Sequence, residues 1–204
     1  MLENFEKIII ENLRKEDAPP EITLPKELVE GMAQSWGKSF PQGKSQEQGG
    51  ILVRKKDGSY QWKAGQPGLS AVFVPNHNDV NKDDTLIAVG HTHPYDKNEG
   101  SHTNVSFSDI DLAFMVYEKH PLEIVQSGEA LFVVARTENF NKKVASLDTT
   151  GKKILFYEIK ITYRNVLKTS PGKWRENIDT ATKTTCEKYD LVYYKGKHNQ
   201  LTKV

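Results

Sequence analysis

An α+β fold, a mixed β-sheet flanked by helices, is what three features of this sequence predict. Apolar segments of strand-like period fall both before and after one well-capped central helix. They do so without the regular strand–helix alternation of a doubly wound parallel sheet. The length, 204 residues, suits one domain large enough to bury a core. The expected organisation is an N-terminal helical extension over 1–40, a central domain over 41–165, and a C-terminal extension over 166–204 that packs on that domain and ends in a β-hairpin.

In chain order, residues 2–16 carry Phe5, Ile8, Ile9 and Leu13 near helical spacing, which predicts an amphipathic helix stopped by Asp17-Ala18-Pro19-Pro20. Pro25 opens a second helix with Leu28, Met32 and Trp36 as its inner stripe. After a polar linker over 41–46, the run Ile51-Leu52-Val53, the turn Lys56-Asp57-Gly58-Ser59 and the alternating Tyr60 and Trp62 predict a hairpin. Leu69 to Val74 reads as a further strand, 75–84 as a long polar loop, and Thr85 to Gly90 as a short strand that delivers His91. A helix is expected from Ser108 to Lys119. Ser108 suits the N-cap, Asp109 and Asp111 suit the first turn, and Ile110, Ala113, Phe114 and Tyr117 share one face. Strands over 130–136 and 154–163, a weak helix over 173–188 and a hairpin turning at 195–199 complete the expectation.

Lys plus Arg (28) nearly balances Asp plus Glu (27), which leaves no electrostatic footprint for nucleic acid or an anionic membrane. The single cysteine, Cys186, excludes an intramolecular disulfide and the paired-cysteine zinc modules, deaminases included. No signal peptide and no apolar run of about 18 residues is visible. The expected location is the cytoplasm, or outside the cell by a route without a classical signal.

The chemistry lies in Leu86 to Tyr117. On a strand, His91 and His93 project to the same side, and two imidazoles at a strand end are a common way to hold a divalent ion. A third ligand is offered by the first turn of the following helix, Asp111 or Asp109. Two histidines and a carboxylate leave a fourth zinc position for water, and a carboxylate base is then needed to take its proton. His77, His120 and His198 have no partner pattern and read as surface or capping residues; His102 and Glu99 could touch substrate or metal, with a solvated loop the favoured reading.

At these positions the sequence resembles the JAMM (MPN+) metalloproteases, whose pattern is a glutamate, a distant His-Ser/Thr-His-Pro, and Ser-x-x-Asp. The matching residues are Glu47 before Gly49-Gly50-Ile51-Leu52, then His91-Thr92-His93-Pro94, then Ser108-Asp109-Ile110-Asp111. The resemblance covers about 47–165. It implies a JAB-type, cytidine-deaminase-like fold with zinc held by His91, His93 and Asp111, Glu47 as general acid/base, and Ser108 binding the oxyanion. It also implies a peptide or protein substrate, ubiquitin-like proteins among the candidates, for a standalone peptidase or an effector or toxin module. Fourteen residues separate His93 from Ser108, more than the family's common spacing, so an insertion is expected at 95–105. Ser106 with Asp109 is the alternative register, and Ser108 with Asp111 is favoured because Ser108 caps the helix. The rivals are a metal-dependent hydrolase of another bond, as on a (β/α) barrel, and a non-catalytic interaction module of the same fold.

Overall fold

The computed structural model describes residues 2–10, 12–69 and 72–204. Its strands are β1 (Glu21–Thr23), β2 (Gly49–Arg54), β3 (Tyr60–Ala64), β4 (Thr85–Thr92), β5 (Leu122–Ser127), β6 (Ala130–Arg136), β7 (Leu191–Lys197) and β8 (Gln200–Lys203). They form one eight-stranded sheet in the order β1-β8-β7-β6-β5-β4-β2-β3. Only β4 and β5 run parallel; every other pairing is antiparallel. The α+β class with a mixed sheet is therefore observed. The parallel pair requires a crossover, and the helix that makes it is the one that follows the His-x-His.

The helices are α1 (Glu3–Ile8), α2 (Lys26–Gly37), α3 (Asp109–Phe114), α4 (Glu138–Ala145), α5 (Thr149–Thr169) and α6 (Trp174–Lys188). Phe5 and Ile8 of α1 and Leu28 and Met32 of α2 pack on one face of the sheet, against Leu52, Ala88, Ile124, Val133 and Tyr194. Leu112 and Ala113 of α3, Phe140 of α4, Leu155 and Ile159 of α5 and Ala181 of α6 pack on the other, against Val125, Phe132, Val134 and Tyr193. Alternation along each strand sends successive side chains to the two helical layers, so every position of β5 and β6 is buried, most of them apolar, with Glu123, Gln126, Ser127 and Arg136 the polar exceptions. The N-terminal residues belong to this framework: β1 adds to the edge of the sheet beside β8, with Ile22 opposite Leu201.

Four sequence expectations need correction. The first helix ends at Ile8 rather than near residue 16, because the β-branched run Ile8-Ile9-Ile10 propagates a helix poorly; Leu13 reaches the core from a separate turn. Around the expected strand over 69–74, Leu69 and 72–74 form loop; Ser70 and Ala71 lie outside the described residues. The segment 154–163, expected as a strand, is the middle of α5. Leu155, Ile159 and Tyr163 recur every four residues and bury one side, while Ile154, Tyr157 and Ile161 make a second, exposed apolar stripe. A helix apolar on two sides mimics alternation. Finally, α3 is shorter than expected and turned about its axis: Leu112 and Ala113 face inward, whereas Ile110, Phe114 and Tyr117 are exposed. The helix over 173–188 and the final hairpin are present, and α4, β1 and β5 were not anticipated.

Candidate metal centre

His91 is the next-to-last residue of β4 and His93 lies just beyond it, at the end of the strand that pairs β2 on one side and β5 on the other. Gly49 stands opposite His91. A Cβ on Gly49 would lie 2.2 Å from the Gly90 carbonyl and 3.0 Å from His91 Cα, so glycine is what lets β2 approach the centre. Beyond the ladder, the Thr92 N–H donates to the Gln48 carbonyl at 2.8 Å and the Gln48 N–H to Thr92 Oγ1 at 3.0 Å. Continuing that register puts Glu47 opposite His93 on the same face. The Glu47 backbone is held from its other side, its N–H donating to Leu69 at 2.9 Å and its carbonyl accepting from Gly68 at 2.9 Å.

The imidazoles converge. His91 Nε2 and His93 Nε2 are 3.0 Å apart, and the Asp111 oxygens lie 3.4 Å from the first and 3.3 Å from the second. One donor atom from each of the three lies within 4.8 Å of the others. His93 Nδ1 stands 2.9 Å from the Ser106 carbonyl, which fixes the proton on Nδ1 and leaves the Nε2 lone pair facing inward, the orientation that second-shell partners give a metal-binding histidine. At most one proton fits between two nitrogens 3.0 Å apart. A set of two imidazole nitrogens and a carboxylate crowded together in this way is satisfied by a cation, and His91, His93 and Asp111 could hold a metal ion.

The electrostatics agree. Burial works to lower the pKa of His91 and His93, but the Asp111 carboxylate outweighs it and both are raised. Burial likewise opposes ionisation of Asp111, and the two histidines overcome it and hold its pKa well below the ordinary value. The centre draws positive charge.

Asp111 is positioned by capping. Ser108 is the N-cap of α3; its Oγ accepts from the Asp111 N–H at 3.3 Å, and Asp111 Oδ2 accepts from the Ser108 N–H at 2.6 Å. This reciprocal box turns the carboxylate toward the histidines. Asp109 points elsewhere, bonded to Arg164 Nε at 2.7 Å, and Ser106 Oγ is buried against Thr182 Oγ1 at 2.9 Å. The geometry thus gathers Asp111, not Asp109, and leaves Ser108, not Ser106, open to the cleft.

Glu47, Ser108, His91, His93 and Asp111 line one cleft of about 220 Å³. Glu47 is 7% exposed. Burial raises its pKa, and the charges of His91 and His93 pull it partly back. Two further wall residues carried no sequence signal. Phe73 stacks on His91 with ring centroids 6.5 Å apart, and its backbone N–H bonds the Glu47 carboxylate. Tyr95 has its phenol pKa pushed up to about 12, first by burial and then by Asp111 and Glu47. A larger cavity, about 880 Å³, lies between α6 and the β6–β8 strands. Its walls mix basic side chains with Glu176, Asp179 and the apolar Ala130, Phe132 and Val204, and Asp179 is already paired with Lys195 at 2.7 Å, so convergence rather than volume marks the centre.

The loop over 95–105 is ordered by its own contacts. Asp96 caps a 3-10 turn over Lys97–Glu99, Glu99 accepts from Ser45 Oγ at 2.5 Å, and Tyr95, His102 and Trp174 form an aromatic cluster with centroids 5.1–5.9 Å apart. His102 is half-buried in that cluster, and Glu99 is exposed and lines the cleft. His120, expected on the surface, is 2% exposed, with its Nε2 2.9 Å from Glu123 Oε1; β5, unseen in the sequence, is what carries Glu123 to it. His77 and His198 are exposed and Cys186 is buried. Among the described residues no helix is long and apolar enough to cross a membrane. Compared with sequence models of known families, with curated proteins and with solved structures, the chain finds no match in any of the three.

Proposed function

We propose that this chain is a metal-dependent hydrolase of peptide or isopeptide bonds, JAB-type in its arrangement, with zinc as its ion and a peptide or protein as its substrate, ubiquitin-like proteins among the candidates. One observation carries the reading: two imidazole nitrogens and a carboxylate meet at a point, and a buried carboxyl of raised pKa, Glu47, opens into the same cleft. Two histidines and one carboxylate are a donor set that suits catalytic zinc, with one coordination position to spare. Zinc bound there supplies Lewis acidity toward a carbonyl and toward water.

The chain's own groups supply the rest. Glu47 is displaced by burial toward the protonated form, the direction a carboxyl needs in order to accept a proton from water and return it to a leaving nitrogen at neutral pH. Ser108 Oγ receives the Asp111 N–H, so its own hydrogen is free to donate into the cleft, where it can stabilise charge developing on the carbonyl oxygen. Phe73 and Tyr95 close the sides and limit water.

Metal analysis joined to peptidase profiling, with and without a chelator, tests this. Zinc copurifies or binds at one ion per chain, and Glu47→Gln retains it while hydrolysis falls by about 10²–10⁴, the usual share of a general acid/base. Full activity in Glu47→Gln would remove the carboxyl from the reaction. A folded chain with no affinity for divalent ions would remove the enzyme.

A further inference from the structure

We propose that the cleft running from His91 and Asp111 toward Glu118 is a specificity pocket for a cationic side chain, arginine or lysine, next to the scissile bond of the bound peptide. The inference rests on reading the centre as a peptide-bond hydrolase. The cavity is about 360 Å³ and shares His91 and Asp111 with the reaction cleft, so a side chain leaving the bound peptide there enters it directly.

Its walls are Val72, Phe73, Val74, Val89 and Phe114. Val72, Val74 and Phe114 are 52%, 73% and 47% exposed, a cluster of apolar surface beside a reaction centre that an aliphatic stem would cover. The far end is acidic. Glu123 Oε1 is engaged by His120 Nε2 at 2.9 Å. Glu118 is not similarly engaged: Oε2 lies 3.5 Å from His77 Nε2 and 3.5 Å from His120 Nδ1, both too long for good hydrogen bonds. Those are its only ion-pair contacts among the described residues.

The neighbouring cations do not neutralise it at close range. His120 is buried and its pKa is lowered to about 4, so it is uncharged at neutral pH. Arg136 is turned away, its Nε donating to Asn141 Oδ1 at 2.7 Å and its Nη1 to the backbone carbonyls of Met115, at 2.9 Å, and Glu118. An apolar slot ending in a partly exposed carboxylate, with both of its ion-pair contacts at 3.5 Å, is complementary to a long aliphatic stem with a cationic tip. A guanidinium, with donors on a planar fork, fits a carboxylate best.

Two measurements test it. In the first, the zinc-loaded protein is profiled on peptides that differ only by arginine, lysine or norleucine on either side of the scissile bond. Arginine or lysine at one of these positions is expected to raise kcat/KM about tenfold over norleucine, and Glu118→Gln to bring the ratio to about one. In the second, the metal-free protein is titrated with N-acetyl-arginine amide and followed by amide chemical shifts. Shifts are expected at Val74, Phe114 and Glu118 in the wild type and not in Glu118→Gln. Binding of the amide without cleavage of any peptide supports the pocket and sinks the hydrolase. Equal cleavage of arginine and norleucine peptides overturns the pocket and leaves the hydrolase standing, and so does cleavage without amide binding.

Discussion

Two clusters of histidine and carboxylate lie close together on one face of the sheet, and they are built to opposite ends. In the first, His91, His93 and Asp111 aim their donor atoms at a common point. In the second, His120 pairs with Glu123 at 2.9 Å and lies near Glu118. Burial opposes charge in both. In the first the Asp111 carboxylate overcomes it and raises both imidazole pKa values; in the second burial wins, lowering His120 to about 4 and raising Glu123 well above the ordinary carboxylate range. The same residue types thus give a centre that recruits positive charge and a cluster that sheds it. The difference is direction: three donors facing one another could share a metal ion, whereas a histidine and an acid facing each other satisfy themselves with one proton.

The sharpest break between two neighbouring carboxylates is expected at α3. Asp111→Ala should weaken divalent-ion binding by more than the ~10–100-fold typical of losing an outer-shell partner, whereas Asp109→Ala should leave affinity within about threefold, since Asp109 is spent on Arg164. Calorimetry on both variants decides; the reverse result would restore the alternative register.

The second cluster predicts a pH effect of up to about 3 kcal/mol. The folded pKa of His120, about 4, is below its ordinary 6.5, so its contribution to stability is complete above pH 6.5 and is lost as the pH falls toward 4. Glu123 acts with the opposite sign: its raised pKa favours the fold at low pH, and that advantage is lost as pH rises through the folded value. His120→Gln removes only the first. Its deficit in urea unfolding relative to the wild type should therefore be smaller at pH 5 than at pH 7.5. A deficit that stays constant or grows on acidification would mean that His120 is charged in the fold.

The smallest effect belongs to the cap. Ser108→Ala should cost about 1 kcal/mol, read as a lower urea midpoint. If stability and metal affinity are both unchanged, the Ser108–Asp111 box does not position the ligand.

How far these features are legible in the sequence depends on how local they are. His91 and His93 share a face because a strand has period two, and Asp111 is placed by a cap three residues away; both are short-range rules. Glu47 is forty-odd residues upstream, beyond any local rule, and its register opposite His93 depends on β2 pairing with β4. The burial of His120 is not legible because β5 is not: LEIVQS interrupts its apolar pattern with Glu123, whose carboxyl meets His120. The contact of Trp174 with Tyr95 and His102 joins residues more than seventy apart, beyond the reach of any periodicity. In α5, Ile154, Tyr157 and Ile161 form a stripe that no described neighbour buries, so a two-sided apolar helix passed for a strand.

The central claim is that one of the two clusters is a metal centre and the other is not. Calorimetric titration of zinc into the chelator-stripped wild type, His93→Ala and His120→Ala tests it most directly. One ion per chain is expected for the wild type and for His120→Ala, with His93→Ala losing more than about 100-fold in affinity. Zinc binding that survives His93→Ala and vanishes in His120→Ala would contradict the account.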